Sequence, residues 1–309
     1  MSKHITLLLT LLLLQLILIG IFFFADSSIA DNATAKPLVT IDKSNLSKIQ
    51  IIKDKDELTL IKQSGKWVLE KYPNLPLASV KVTALTNNLA NTQVTWPVTS
   101  TKGSHERFKV SPENYQKNIV FTGKNGKTEA LFLGTSSNYK QIYVRKMKED
   151  DVFSIEYSLY QASTDVDNWL DKSLLSIDSI KQINTSVVNI QQKDDAWQLV
   201  PPSILNDEQK LNIENIQVLV NQLNNLTVSG IANKSYKPSN QLIVHDEENK
   251  QYTYYFASQD DSHFLKRSDI NQWFTIPKVN YEQLNELLSD KLIIKKEKKI
   301  EEEQKAVTE

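Results

Sequence analysis

The sequence predicts an α+β protein in which an N-terminal transmembrane helix precedes two tandem homologous lobes. Three observations lead to this prediction: an uncharged apolar run near the N-terminus, one order of strands and helices that occurs twice, and short polar turns between the strands. Strands joined by short turns pair antiparallel, because a parallel pair needs a crossover of a dozen or more residues. Each lobe is therefore expected to be an antiparallel β-sheet with packed helices.

The first element is the apolar run Ile5–Phe24, which contains no charged residue. Twenty residues of helix rise through about 30 Å, the thickness of a bilayer's hydrocarbon core. Lys3 precedes the run and Asp26 follows it, and this bias places the N-terminus in the cytoplasm and the remaining chain outside. Residues 1–30 are thus predicted to be a retained anchor, inserted in the lipid bilayer through Ile5–Phe24. A cleaved signal peptide is the alternative, since Ser28-Ile29-Ala30 fits a cleavage site, but signal apolar regions are usually shorter.

The remaining chain is predicted to be one unit written twice, over residues 37–176 and 177–294, followed by a charged tail over 295–309. In each copy a Trp-bearing hairpin precedes an amphipathic helix and four strands, and a second helix is expected to close the copy. Eight elements in the same order are unlikely to align by chance. The matched segments include Gly65–Leu69 with Asp195–Leu199, Asn118–Phe121 with Gln241–Val244, Leu131–Gly134 with Tyr254–Ala257, Tyr143–Lys146 with Leu265–Ser268, and Val152–Ile155 with Trp273–Ile276.

Composition excludes several classes of function. Lys and Arg number 36 against 37 Asp and Glu, and a net charge of -1 gives no electrostatic basis for nucleic-acid binding. The chain contains no cysteine, which excludes disulfides, thiolate-bound zinc, iron–sulfur clusters and a cysteine nucleophile. A globular body without these devices must be stabilised by its apolar cores.

Motifs that carry chemistry are scarce. Ser137–Lys140 matches S-x-x-K, but these residues fall between two strands rather than at a helix start, where Lys would lie one turn from Ser. Asp165–Trp169 begins like a calcium loop, yet Trp169 occupies the third ligand position, so a helix start is favoured. The histidines lack metal-ligand spacing. We therefore predict no catalytic residue, no cofactor and no metal site; the alternative is acid/base chemistry by a turn carboxylate such as Asp150 or Asp260.

Two features are candidates for partner binding. Phe132 and Tyr255 share the face opposite the core in the two copies, so a sister lobe, a helix or a partner must cover that face. In Glu106-Arg107-Phe108, Arg107 offers a rigid five-donor fork beside a carboxylate. A structural interpretation has Glu106 hold Arg107, which braces a loop onto the sheet; a functional one has Arg107 grip an acidic ligand or partner.

A family resemblance is carried by the N-terminal span and by five segments, Glu106–Val110, Leu133-Gly134, Tyr143–Arg145, Val152-Phe153 and Asn168–Lys172. Together they resemble the bacterial family defined by domain of unknown function 4340. Four of the segments correspond to the family's E-R-F-G-L, L-x-L-G, Y-x-R and closing D-x-x-D-K, and Val152-Phe153 follows the third. The resemblance covers roughly Val39 to Leu175 well and the second copy diffusely, and Lys109 stands where the family has Gly.

The resemblance implies a membrane-anchored envelope protein, often associated with an ABC-type transport system, and supplies no catalytic residue. We therefore expect a single-pass protein of the bacterial inner membrane, with the bulk of the chain periplasmic, that binds a membrane or envelope protein partner. Two alternatives are a small-molecule or glycan-binding protein that uses the cleft between lobes, and an envelope hydrolase that uses carboxylates.

Overall fold

The computed structural model describes residues 3–30, 34–201, 203–206 and 208–296. Its described part is α+β, with antiparallel sheets and few helices, as the sequence predicts. Contacts divide the chain into two units: unit 1 holds the described residues of Met1–Lys66 and Val80–Thr164, and unit 2 holds Trp67–Ser79 and those of Asp165–Glu309.

Five α-helices lie within the described residues: α1 (Lys3–Ala30), α2 (Ser79–Ala90), α3 (Ser104–Phe108), α4 (Ile213–Asn224) and α5 (Lys278–Leu287). Helix α4 forms because Ile216, Leu219, Val220 and Leu223 recur at helical spacing and form one buried stripe. Asn212 caps its start by accepting a hydrogen bond from the Asn215 amide at 3.2 Å.

The strands before residue 165 are β1 (Lys36–Pro37), β2 (Leu46–Lys53), β3 (Asp56–Gln63), β4 (Lys66–Leu69), β5 (Gln93–Val94), β6 (Lys117–Gly123), β7 (Thr128–Asn138), β8 (Gln141–Lys146) and β9 (Val152–Glu156). Seven of them form a sheet in the order β4-β3-β2-β6-β7-β8-β9, and the unit boundary falls after Lys66, the first residue of β4. The alternating side chains Ile49, Ile51, Ile119 and Phe121 of its central strands have no exposed surface.

The strands after residue 165 are β10 (Ile180–Asn184), β11 (Asn189–Lys193), β12 (Ala196–Leu199), β13 (Gln209–Leu211), β14 (Gly230–Ile231), β15 (Asn240–Asp246), β16 (Gln251–Gln259), β17 (Ser262–Arg267), β18 (Phe274–Thr275) and β19 (Ile293–Lys295). Eight of them form a sheet in the order β12-β11-β10-β15-β16-β17-β18-β14. Apart from β14 at its edge, this sheet has the strand order of the sheet in unit 1. Strands β10–β12 correspond to β2–β4, and the meander β15–β18 corresponds to β6–β9.

The structure corrects the expected closing helix of the first copy. After β9 the chain forms only two short 3-10 turns, Leu159–Gln161 and Val166–Asn168, whereas the second copy closes with α5. Asp165 caps the second turn by accepting from the Asp167 amide at 3.0 Å. The residues predicted to end that helix instead lie along the segment between β4 and α2, where the amide of Asp171 donates to the carbonyl oxygen of Pro76 at 3.0 Å.

A second correction concerns the match between the copies at β8 and β17. Phe132 pairs with Arg145, whereas Tyr255 pairs with Lys266. Because Phe132 and Tyr255 occupy equivalent positions, Lys266 rather than Arg267 corresponds to Arg145. The two arginines were aligned by residue type, and a shift of one residue in a strand moves a side chain to the opposite face.

The structure does not confirm the elements predicted at the two ends of the chain, the membrane span and the extension of the last helix. No helix is long and apolar enough to cross a membrane when judged on the described residues. Of the tail 295–309, Lys295 lies in β19, which pairs with β13, so the described part does not extend α5. Residues 297–309 lie outside the described part of the chain.

Candidate functional site: the covered second faces of the two sheets

Each sheet buries an aromatic side chain on the face opposite its main core. In unit 1, Phe132 is 1% exposed and packs with Phe108, Val110 and Val152. The ring of Tyr115 lies 5.4 Å from the ring of Phe132. The cover is therefore the unit's own segment from α3 to Tyr115, which removes Phe132 from any surface that a partner contacts.

Unit 2 covers Tyr255 in the same manner. Tyr255 is half-buried against a cluster that contains Ala232, Phe264 and Trp273. Tyr236 stacks on Phe264 with ring centroids 3.8 Å apart. The segment just before β15 thus lies over the second face, in the chain position that the α3 segment occupies before β6. Of the three covers that the sequence allowed, a helix is the one found in unit 1, where α3 contributes Phe108, whereas the covering segment of unit 2 contains no helix.

The cover of unit 1 depends on two backbone features. Lys109 ends α3 in the left-handed conformation, with φ 55° and ψ 51°. Beneath it, Gly134 of β7 leaves no room for a side chain, since an added Cβ would lie 2.1 Å from the carbonyl oxygen of Phe108. The strand and the covering segment consequently touch through their backbones.

Arg145 secures this cover from below. Its Nε donates to the carbonyl oxygen of Val110 at 2.8 Å, and one terminal nitrogen donates to the carbonyl oxygen of Glu149 at 2.9 Å. The guanidinium also lies 5.0 Å from the ring centroid of Phe132. Burial lowers the pKa of Arg145, against the opposing influence of Asp150 and Glu113. Arg145 therefore braces the covering segment onto the sheet. The structural interpretation of the sequence had assigned this role to Arg107.

Glu106 and Arg107 are both exposed and do not pair with each other. Glu106 accepts a hydrogen bond from the Asn114 side chain at 3.0 Å, and hydrogen bonds from Ser111 and Asn114 lower its pKa. The Arg107 guanidinium lies 4.5 Å from the ring centroid of its neighbour Phe108, which is itself 8% exposed. Within the described chain, Arg107 has no carboxylate partner. The structural interpretation of Arg107 is thus wrong, and the functional one remains a prediction.

The other candidates from the sequence are divided between the two units. Ser137 lies in β7, where its hydroxyl is 2.7 Å from that of Ser154, and Lys140 lies in the following turn. Asp150 is a half-exposed turn residue 3.9 Å from Lys102 in unit 1, whereas Asp260 lies in a turn of unit 2. Among the residues that the structure describes, no group of three potential ligands is placed to hold a metal ion.

Unit 1 also contains a groove that the sequence did not indicate. Its volume is about 530 Å³, and Asn88, Lys140, Glu156, Tyr157, Ser158 and Gln161 line it. The Asn88 amide donates to Gln161 at 2.9 Å. Tyr157 is buried with an unpartnered hydroxyl, and burial raises its pKa. Tyr160, adjacent in sequence to Gln161, is 94% exposed.

The comparisons with known proteins give one match. A model of a domain of unknown function, DUF4340, matches residues 67–243, which is more than half of the chain. The chain belongs to the DUF4340 family. No curated protein and no solved structure matches it significantly. The match begins at β4 and continues into β15, so it includes more of the second copy than the sequence motifs had suggested.

The motifs of the DUF4340 resemblance correspond to the covered face of unit 1. Gly134 of L-x-L-G is the point of close approach, Arg145 of Y-x-R braces the cover, and Lys109 takes the backbone conformation suited to the family's Gly. From the sequence, Arg145 was recognised only as part of the Y-x-R motif, and no role was predicted for it. Its position in the motif indicated that it matters, but only the fold places its side chain where it can donate to the carbonyl oxygen of Val110.

Proposed function

We propose that this DUF4340 protein is a membrane-anchored, non-catalytic binding protein of the bacterial inner membrane. Its extracytoplasmic units engage another membrane or envelope protein, of the kind found in ABC-type transport systems. The family match by itself carries no function, so the proposal rests on the chain's own residues.

The anchor is supported by the character of α1. The described side chains of Ile5, Leu7, Leu8 and the aliphatic residues from Leu11 to Ile21 are apolar on every side of the helix and between 47% and 69% exposed. A helix that is apolar all round is stable only when protein or lipid surrounds it. Lipid around Ile5–Phe24 supplies that environment in the proposal.

Partner binding is carried by one observation, the exposed Arg107. Stacking on Phe108 restricts its side chain, so fewer rotamers are lost when a partner binds. Its donors face no carboxylate of the described chain, and arginine is enriched at the centres of protein interfaces. The fork suits a carboxylate of the partner, which it can bind through two parallel hydrogen bonds.

The test is affinity purification of the tagged full chain from detergent-solubilised membranes, with quantitative mass spectrometry. Arg107→Ala should lose a membrane protein that co-purifies with the wild type. Lys55→Ala, which removes an exposed cation from the β2–β3 turn of the same unit, should retain it. Equal recovery with Arg107→Ala, or no co-purifying membrane protein at all, would contradict the proposal.

The groove of unit 1 favours a second candidate, a small-molecule or glycan-binding protein. Amides, a carboxylate and a hydroxyl line it, and Tyr160 lies beside it. Such groups bind polar ligands through hydrogen bonds and aromatic stacking. A soluble oligosaccharide panel that raises the melting temperature of the wild type, but not of Gln161→Ala, would favour this candidate.

A further inference from the structure

The covered faces of the two sheets differ in the hydrogen-bond acceptors that surround one equivalent cation. In unit 1 the cation beside Phe132 is Arg145, which is 4% exposed and surrounded by carbonyl oxygens. Four of these belong to Val110, Lys146, Met147 and Glu149. The unit's own backbone therefore supplies the oxygen atoms that a buried cation requires.

The equivalent cation of unit 2 lacks this supply. Lys266 pairs with Tyr255 as Arg145 pairs with Phe132. Its ammonium donates to the amide oxygen of Asn271 at 2.8 Å, a neutral acceptor. In the part of the chain that the structure describes, no carboxylate lies within ion-pair distance of Lys266. The positive charge of this half-buried group is thus not neutralised by the fold.

A recess lies beside Lys266 in unit 2. Its volume is about 170 Å³, and its lining contains Lys234 as a second cation and no carboxylate. The neutral polar lining residues are Asn233, Ser235, Asn271 and Gln272. Asp269, three residues from Lys266, is occupied by Arg267, which holds both of its carboxylate oxygens at 2.7 and 3.0 Å.

The wall of the recess is held in place by the backbone. The Ala232 amide donates to the Trp273 carbonyl at 2.8 Å, and the Gln272 side chain donates to the Ala232 carbonyl at 2.8 Å. Trp273, which also lines the recess, is 5% exposed. These two bonds join the two segments that line the recess, which is open to solvent.

We propose that this recess binds a phosphate-type oxyanion, which Lys266 holds together with Lys234 and Ser235. Ammonium groups bind phosphate as point charges, and the hydroxyl and amide groups add hydrogen-bond donors. The volume lies below the roughly 300–1,000 Å³ of sites for larger ligands, so it suits one oxyanion group. Inorganic phosphate and the head group of an anionic lipid share this chemistry.

The experiment measures the melting temperature of the full chain in neutral detergent micelles as inorganic phosphate replaces chloride at constant ionic strength. Wild type should show a saturable rise. Lys266→Met should weaken the apparent affinity at least tenfold. Asn271→Asp should do the same, because it places a carboxylate beside Lys266 with almost no change of shape. Lys181→Met is the matched control, since the Lys181 ammonium also bonds an amide oxygen, that of Gln192 at 3.1 Å, but lies outside the recess.

A second arm replaces phosphate by micelles that contain phosphatidylglycerol, compared with phosphatidylcholine. A saturable response to phosphatidylglycerol alone, lost in Lys266→Met and Asn271→Asp, assigns the site to a lipid head group. A response to phosphate assigns it to the free ion. Equal responses of all four proteins would reflect the general stabilisation by excluded anions and would overturn the proposal, as would no response in either arm. Should Lys266→Met fail to fold, the exposed Asn271→Asp carries the test alone.

Discussion

Lys109 has a backbone conformation that glycine adopts more readily than any other residue. Its φ of 55° places it in the left-handed region, where a side chain costs about 1–2 kcal/mol. Its amide nevertheless ends α3 by donating to the carbonyl oxygen of Glu106 at 3.1 Å. The left-handed turn is what directs the following residues across the sheet, so its conformation matters more than its side chain.

Lys109→Gly should therefore stabilise unit 1 by about 0.5–1 kcal/mol, because the strain removed exceeds the added freedom of the unfolded chain. Lys109→Val should destabilise it, since a branched side chain is poorly tolerated in this conformation. Urea unfolding of the full chain in detergent, followed by tryptophan fluorescence, measures both changes. A lower urea midpoint for Lys109→Gly would refute the interpretation.

Glu129 links the start of β7 to the segment before β2. It accepts hydrogen bonds from the amide and the hydroxyl of Thr40 and lies 2.9 Å from Lys127. Burial by itself would raise the pKa of Glu129, but the hydrogen bonds from Thr40 and Lys127 outweigh burial and hold it below its usual value. A carboxyl group with a lowered folded-state pKa stabilises the fold above its unfolded pKa, and this stabilisation is lost as the pH falls through the folded pKa.

Acidification below about pH 4.5, the ordinary pKa of Glu, should accordingly reduce the stability of the wild type more steeply than that of Glu129→Gln. The variant should be less stable at neutral pH and approach the wild type in acid. Urea midpoints between pH 7 and pH 3 measure the difference. Glu208→Gln, at an exposed position of unit 2, is the control. Parallel curves for the wild type and Glu129→Gln would exclude this role.

At the scale of elements, each unit contains a glycine at which two segments approach closely. Strand β7 passes directly under the turn after α3, and Gly134 is the residue at the crossing. In unit 2, Gly230 of β14 has an equally close neighbour, the carboxylate of Asp167, which accepts a hydrogen bond from the Ile231 amide at 2.8 Å. Each glycine permits a close approach that any side chain would block.

Gly134→Ala should destabilise the protein by about 3 kcal/mol, because the new Cβ meets backbone atoms that cannot move aside cheaply. Gly103→Ala is the matched control, since Gly103 lies in the same unit, has ordinary helical φ and leaves open space for a Cβ. Thermal unfolding of both variants decides the point. Equal melting temperatures for the two would show that the covering segment yields.

The elements of the fold were largely predictable from sequence, and their register was not. Periods of two and 3.6 residues marked the strands and α4 because each buries one face. The prediction of a closing helix in the first copy was wrong because Leu159 and Val166 lie in 3-10 turns and Leu170 forms a β-bridge with Leu77 instead. Arg145 and Arg267 seemed equivalent because residue type was all that the sequence offered; hydrogen-bond pairing decides which strand residues face each other.

On the scale of the whole molecule, the proposed anchor makes a direct prediction. The full chain should remain in the membrane pellet after alkaline carbonate extraction, and the chain without residues 1–30 should appear in the soluble fraction. Mass spectrometry of the pelleted protein should find the N-terminal residues still attached. Release of the full chain, or a mature protein beginning at Asp31, would contradict a retained anchor and favour a cleaved signal peptide.

Sequence alone determined that the chain is α+β, that it belongs with the domain of unknown function 4340, and that thiol chemistry is excluded. The fold class follows from local periodicity, the exclusion of thiol chemistry from composition, and the family from short motifs and the match over residues 67–243, none of which requires knowledge of distant contacts. Tertiary structure decided that Arg145 braces the cover while Arg107 stays exposed, and that Lys266 faces a recess lined by no carboxylate. Such differences arise from pairing between residues far apart in the chain, where burial and the supply of oxygen atoms, rather than residue type, determine what a cation does.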